Sequence, residues 1–329
     1  MSEHRAEIFV TNRLPEPVES RMQTLFDVEI NRDNITLSAN ELLERIGTRN
    51  VLVSSINDPL DAEFIARLPQ SLKLIAQFGN GVDNIDLEAA SKAGIIVTNT
   101  PSVLTEDTAD MAMALILSVP RRLVEGAELV ARDGDWPGWS PTWMLGRRLG
   151  GKALGIIGLG RIGAAVAARA KAFGLDIHYY SRSRRPAEIE EALEATYWPS
   201  LEEMLAHVDI VSVHTPHTKE SFNLLDAKRL ELMKKGAFVV NVSRRELVDE
   251  EALVALIEDG HLSGAGLDVF SHSEGINPAL LKLAREHRVV LTPHMASSTL
   301  EGRIEMGETV ILNIKIFMDG HNPPHRVLI

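Results

Sequence analysis

The stretch that most restricts what this chain can fold into is Gly158-Leu159-Gly160-Arg161-Ile162-Gly163. It follows the apolar run 153–157, which reads as a strand, and opens residues 164–173, which have helical composition and stop at Gly174. In the order strand, Gly-x-Gly-x-x-Gly, helix, each glycine has its own task. The first makes a tight turn, the second lets the backbone approach a pyrophosphate, and the third lets the helix pack on the strand. The helix N-terminus then turns unpaired N–H groups to the phosphates. The bare spacing also occurs in plain strand-to-helix turns; the flanking strand and helix make it a dinucleotide fingerprint, with Gly158, Gly160, Arg161, Ile162 and Gly163 against the cofactor.

From Gly151 onward, β-like runs at 153–157, 176–180, 210–214, 237–241, 264–270 and 289–292 alternate with helical stretches such as 200–207 and 250–258. Six strands with a glycine-rich turn after the first predict a doubly wound parallel sheet. Residues 1–100 alternate in the same way, with runs at 8–11, 27–30, 51–55, 72–77 and 95–99, and predict a second parallel sheet covered on both faces. At 329 residues the chain suits two domains of α/β class. Thr105-Glu106-Asp107 reads as an N-cap and acidic first turn leading into 111–119, apolar nearly all round and halted by Pro120. Residues 132–150 are loop-like and hold Trp136, Trp139 and Trp143, three of the chain's four tryptophans. So aromatic a loop points to a subunit contact, with burial inside its own domain as the other reading. The last helix is expected over 299–318, ended by Gly320.

Composition narrows the partners. A formal charge of −12 argues against nucleic acid, and no apolar run approaches the roughly 18 residues of a membrane span. The acidic first residues lead straight into a strand-like run, so no signal peptide is expected and a cytoplasmic location is. With no cysteine there is no disulfide, thiolate nucleophile or cysteine zinc site. His214 and His217 lack a carboxylate at ligand spacing and read better as loop residues beside a cofactor than as a metal pair; no metal is expected.

In such sheets ligands bind outside the carboxyl ends of the strands. Arg244 follows one strand, Asp268 sits within an otherwise apolar run at another, His294 follows the last, and Thr215-Pro216 ends a fourth. An arginine, an aspartate and a histidine at three strand ends of a dinucleotide domain form a candidate site. In the first domain, Gly79-Asn80-Gly81-Val82-Asp83 is either an ordinary turn or a cluster of N–H groups able to hold a carboxylate. About 20 residues past the fingerprint, where an acid for the ribose hydroxyls is expected, stands Ser181-Arg182-Ser183-Arg184-Arg185. Arginines there suit a 2′-phosphate, favouring NADPH over NADH; a solvated basic turn is the alternative.

With these motifs in view, the chain resembles the D-isomer-specific 2-hydroxyacid dehydrogenases, and within them the glyoxylate and hydroxypyruvate reductases. The motifs that carry the resemblance are 79–86, 158–163, Asn241-Val242-Ser243-Arg244, 266–270 and Pro293-His294. It implies a flavodoxin-like substrate domain made of 1–100 plus 295–329, interrupted by a Rossmann-type cofactor domain, 101–294, with the active site in the cleft between them. It also implies a homodimer built through 101–150, with Trp139 reaching the partner's substrate site.

By motif, Arg244 would hold the carboxylate and carbonyl of a small 2-oxo acid, His294 would protonate the carbonyl oxygen, and the backbone of Asn80, Gly81 and Val82 would cradle the carboxylate. Asp268 would hold the nicotinamide carboxamide. Thr108, Ser181, Arg182, Ser183, Thr215, Pro216, Val242 and Ala296 would complete the cofactor contacts. Three positions depart from the family pattern. Arg245 follows the arginine where the family usually has glycine, Ser273 stands with Glu274 adjacent where it has the glutamate that pairs with the histidine, and Ala296 replaces glycine after the histidine. Three outcomes follow: reduction of glyoxylate or hydroxypyruvate, reduction of a bulkier 2-oxo acid, or a cofactor-binding sensor that has lost turnover.

Overall fold

The computed structural model describes residues 6–271 and 275–328. The chain divides into two compact units, one from the start to Leu104 together with the residues from Ser298 on, the other Thr105–Ser297.

In the first unit, β1 (Glu7–Val10), β2 (Asp27–Ile30), β3 (Val51–Ser54), β4 (Leu74–Gln77) and β5 (Ile96–Thr98) alternate with helices α1 (Glu16–Leu25), α2 (Ala39–Ile46), α3 (Ala62–Ala66) and α4 (Leu87–Lys92). All pairings are parallel, in the flavodoxin-like order β2-β1-β3-β4-β5. β3 and β4 are buried at every position, which is why they read as unbroken apolar runs rather than alternating ones. Alternate side chains serve opposite layers. Ile8 and Val10 meet α1 and the C-terminal helix Leu300–Met318, while Phe9 meets α2 and α3. Helix starts are set by Ser38, Asp61 and Asp86, each accepting a backbone N–H of its helix's first turn, with Ser38 and Glu41 forming a reciprocal capping box.

The second unit opens with α5 (Thr105–Arg121) and α6 (Leu123–Asp133), then runs β6 (Ala153–Ile157), α7 (Arg161–Ala172), β7 (Asp176–Tyr180), α8 (Ala187–Leu193), β8 (Thr196–Tyr197), α9 (Leu201–His207), β9 (Ile210–Val213), α10 (Ala227–Glu231), β10 (Phe238–Asn241), α11 (Glu250–Glu258), β11 (Gly264–Leu267), α12 (Pro278–Arg285) and β12 (Val289–Leu291). The sheet is parallel throughout, in the order β12-β11-β10-β9-β6-β7-β8, a Rossmann-type doubly wound arrangement with apolar layers on both faces. Arg169 of α7 fixes α5 by bonding Glu106 and Asp110 at 2.6 Å each.

The structure differs from the sequence expectation in three places. Among the described residues this sheet has seven strands, not six; β8 is two residues long and offers no periodicity to read. The runs 210–214 and 264–270 leave the ladder at Val213 and Leu267, freeing His214 and Asp268 for the strand ends. Thr105 is the first helical residue rather than a cap, and the helix runs past Pro120 by one residue. A proline in a final turn costs one ladder bond, and the Pro120 carbonyl still accepts from Arg147 N at 2.8 Å. Of the two readings of the tryptophan loop, burial within its own unit is not what is observed for Trp136, Trp139 and Trp143: Trp139 is 87% exposed. Among the described residues no helix is long and apolar enough to cross a membrane.

Gly307 on the C-terminal helix faces Val18 of α1 so closely that a Cβ would run into both valine methyls. Gly307→Ala is therefore expected to lower stability by ~1–3 kcal/mol, the usual cost of overpacking. Val18→Ala in the same chain should recover part of the loss, read by thermal or urea unfolding.

Candidate active site

The three fingerprint glycines sit in three different environments. Gly158 has φ +95°, and a Cβ there would lie 2.9 Å from the His214 carbonyl oxygen. A Cβ at Gly163 would collide with the Gly158 carbonyl oxygen, so this is where helix meets turn. At Gly160 nothing lies within 4 Å of where a Cβ would be. Gly160 is also the N-cap of α7 and caps it with no side chain, so backbone N–H groups at the helix start stay available to an anion. Tight turn, open approach and close packing are the three requirements of a pyrophosphate site, and the residues present fit a dinucleotide.

Just past β7 the arginines divide. Arg184 bonds Glu190 of α8 at 2.7 Å and lies 5.5 Å from the centre of the Tyr197 ring. Arg184, together with the Tyr179 hydroxyl 2.5 Å from the carboxylate, holds the Glu190 carboxyl down to about 2. Burial and the same carboxylate push the Tyr179 phenol up to about 12. Arg182 makes no hydrogen bond or ion pair among the described residues, and Ser183 beside it is exposed. Ser181 Oγ accepts from Leu159 N at 2.9 Å, tying this segment to the fingerprint turn.

Across the sheet the other strand ends are linked in turn. Ser243 Oγ donates to the Thr215 carbonyl at 2.6 Å, and Ser221 Oγ to that of Pro216 at 2.9 Å. Buried Asn241 shapes the turn that carries Arg244, its amide donating to the Arg244 carbonyl (2.8 Å) and its oxygen accepting from Ser243 N (3.0 Å). Val242, between them, packs into the apolar layer. Arg244 Nη1 donates to the Ser243 carbonyl at 2.9 Å. Asp268 N donates to the Asn241 carbonyl, and the Asp268 carbonyl accepts from His294 N at 3.0 Å. The Asp268 carboxylate, 1% exposed, accepts from Thr292 Oγ1 (2.6 Å), Met295 N (2.9 Å) and Ala296 N (2.8 Å). It thus grips both sides of His294, which is exposed and held at φ +52°. Asn241 in this role is a residue that sequence reasoning passed over, although a polar side chain ending a buried strand was the available signal.

Thr108 is buried on α5, and Ala296 packs its methyl group into the apolar layer with Ala109 and Ala112. Arg245 turns to Glu246, 2.9 Å away. Ser273 and Glu274 lie outside the described residues. Trp139 shares none of these strand-end contacts. Among the described residues no group of three His, Asp or Glu side chains is placed to hold a metal ion.

In the first unit, the turn after β4 is polarised. The carbonyls of Gly79, Asn80, Gly81 and Val82 accept from Thr100 N (2.9 Å), Asn99 Nδ2 (2.8 Å), Gln77 Nε2 (3.3 Å) and Ile85 N (3.0 Å). Their own N–H groups donate to no described residue. Among the described residues each of these carbonyls has a donor and none of these N–H groups an acceptor, so the turn can offer N–H groups to an anion.

The profile of the D-isomer specific 2-hydroxyacid dehydrogenase, NAD binding domain, matches residues 113–296. The chain is 43% identical over 327 residues to the glyoxylate reductase of Thermococcus litoralis, covering 98% of this chain and 97% of that one. This chain belongs to the D-isomer specific 2-hydroxyacid dehydrogenase family. Solved relatives agree with the fold of these dehydrogenases. The TT0316 protein from Thermus thermophilus superposes with TM-score 0.89 at 43% identity, over 98% of this chain and 99% of that one. An NADPH-dependent glyoxylate/hydroxypyruvate reductase from Sinorhizobium meliloti, in complex with NADP and malonate, superposes with TM-score 0.83 at 32% identity, over 98% and 97%. As a member of this family the chain is a dehydrogenase built around a nicotinamide cofactor.

His214 supplies a pH signature. Its Nε2 lies 2.8 Å from Ser212 Oγ, its Nδ1 has no partner among the described residues, and burial pushes the imidazole down to about 3. A folded value below the unfolded ~6.5 means stability that is present above that pH and lost as pH falls toward about 3, at up to ~1.4 kcal/mol per pH unit. The stability difference between the wild type and His214→Gln, from urea unfolding at pH 7 and pH 5, should shift in favour of the variant on acidification.

Proposed function

We propose that this dehydrogenase reduces a small 2-oxo acid, glyoxylate or hydroxypyruvate, to the D-2-hydroxy acid, with NADPH as the preferred reductant. The observation that carries the reading is the strand-end chain of contacts in which Asn241 and Asp268 hold the Arg244 turn against the His294 loop. It is supported by the glyoxylate and hydroxypyruvate reductases among the relatives.

A bound nicotinamide would supply the hydride. It would be held by the Gly158–Gly163 turn with Arg161 and Ile162, by Ser181, Arg182 and Ser183, and by Thr108, Thr215, Pro216, Val242 and Ala296. The chain's own task is the charge on oxygen. As the carbonyl carbon becomes tetrahedral its oxygen takes on negative charge and must gain a proton. The imidazolium of His294 donates that proton, and the guanidinium of Arg244 stabilises both the developing alkoxide and the neighbouring carboxylate. The free N–H groups of Asn80, Gly81 and Val82 hold the carboxylate. Asp268 holds the His294 loop through three donors and, with acceptor capacity left on Oδ2, would hold the nicotinamide carboxamide. Purified protein with NADPH and a panel of 2-oxo acids, followed by loss of NADPH absorbance, tests the reading; NADPH binding without oxidation by any acid would refute it.

Coenzyme choice rests on Arg182. Arg184 is committed to Glu190, which leaves Arg182 and Arg185, and the 2′-phosphate is assigned to Arg182, the nearer to the end of β7. Arg182→Ala should weaken NADPH binding roughly tenfold or more, from the ~1.5–3 kcal/mol of a charge-assisted bond, while NADH binding changes little. Equal losses, by fluorescence titration, would refute the preference. A homodimer through residues 101–150 accounts for the exposed Leu123, Val130, Trp136, Trp139 and Leu145 on a single chain, with Trp139 serving the partner's substrate.

A further inference from the structure

The N–H groups of the carboxylate cradle can point at a ligand only if something turns their peptide planes. In a trans peptide the carbonyl of one residue and the N–H of the next lie in one plane and point in opposite directions. No cis peptide occurs among the described residues. Pinning the Gly79 carbonyl therefore aims the N–H of Asn80, pinning that of Asn80 aims Gly81, and pinning that of Gly81 aims Val82. The three pins are Thr100 N, the Asn99 amide and the Gln77 amide.

Gln77 is fully buried, and both of its amide N–H donors are used. Nε2 donates to the Gly81 carbonyl (3.3 Å) and to Asn84 Oδ1 (2.9 Å), and Oε1 accepts from Ser54 Oγ (2.7 Å). Asn84 is used as completely, since Nδ2 donates to the Ser55 carbonyl (3.0 Å) and the Asp58 carbonyl (2.9 Å). Phe78 N adds a bond to the Ser54 carbonyl at 2.7 Å. The turn after β4 is thus bolted to the loop after β3 by a network with no spare donor on either amide, the kind that defines one geometry. Asn99 stands apart from that network. It is half-exposed, and its side chain makes one hydrogen bond among the described residues, to the Asn80 carbonyl.

We infer that Gln77 and Asn99 are positioning residues for substrate binding: they aim the N–H groups of Val82 and Gly81 at the substrate carboxylate, and Asn84 holds Gln77 in place to do so. The inference rests on the proposed reduction of a 2-oxo acid. Because the carboxylate is present in substrate and transition state alike, these residues serve uniform binding, whose loss raises KM and leaves kcat nearly unchanged.

The test uses the full chain, with Gln77→Met and Asn99→Leu made separately. Glyoxylate kinetics are read beside calorimetric binding of oxalate to the NADPH-loaded protein, and NADPH affinity and Tm are recorded for both variants. Misaiming one charge-assisted donor is expected to raise the KM for glyoxylate and the Kd for oxalate together by roughly ten- to a hundredfold, with far smaller changes in kcat and in NADPH affinity. Unchanged KM and Kd in both variants would overturn the inference. So would a common fall of kcat, NADPH affinity and Tm with KM unmoved, which is the mark of a structural role. Asn99→Leu carries the test should Gln77→Met not fold, because it strips a single bond from a half-exposed side chain. The oxalate arm separates this inference from the activity: wild type that binds oxalate but reduces no 2-oxo acid refutes the proposed reaction, while the cradle is still read from the variants' oxalate affinity.

Discussion

A buried carboxylate holds the loop on which His294 stands. Asp268 has no cation at hydrogen-bonding distance among the described residues; its charge is met by one hydroxyl and two backbone N–H groups, all from Thr292, Met295 and Ala296. Such a carboxylate is tolerable in a nearly dry position only while every one of those bonds is made. That condition fixes the path of the backbone around His294, including its φ of +52°, a conformation that costs a non-glycine residue roughly 1–2 kcal/mol. The strain persists because the loop is over-determined on both sides of the histidine. Through its own backbone Asp268 also joins Asn241, and so the turn that carries Arg244. Three strand ends therefore share one hydrogen-bonded frame.

The same accounting of donors and acceptors recurs in both units. After β6 the helix start at Gly160 lacks a capping side chain, and after β4 four consecutive carbonyls are consumed from the protein side. In each case backbone N–H groups without a partner among the described residues collect at the carboxyl end of a parallel strand. Strand ends in parallel sheets are where such turns collect, because every crossover must leave the sheet there.

Much of the fold was legible because parallel strands buried on both faces leave unbroken apolar runs, as in Val51–Ser54 and Leu74–Gln77. The fingerprint was legible because its glycines answer to backbone sterics, which local sequence records directly. What escaped depended on partners distant in sequence. The arginines after β7 look equivalent in the chain, yet Glu190, on the next helix, takes Arg184 and leaves Arg182 and Arg185. Gln77, Asn84 and Asn99 are unremarkable polar residues until the sheet order sets β4 between β3 and β5. β8 failed for a different reason: two residues paired beside β7 need no pattern of their own.

The departures from the family pattern that fall on described residues are absorbed without disturbing this frame. A glycine is needed where φ is positive or where a Cβ would collide. Arg245 opens a 3-10 turn and is not among the positive-φ residues, so its backbone accepts a side chain, and the guanidinium is drawn off to Glu246. Ala296 likewise has no positive φ, and its methyl group, 6% exposed with the rest of the residue, is spent on the apolar layer beneath the sheet. Its N–H still serves Asp268. The extra cation and the extra methyl group therefore leave Arg244 and His294 on the supports that the strand ends provide.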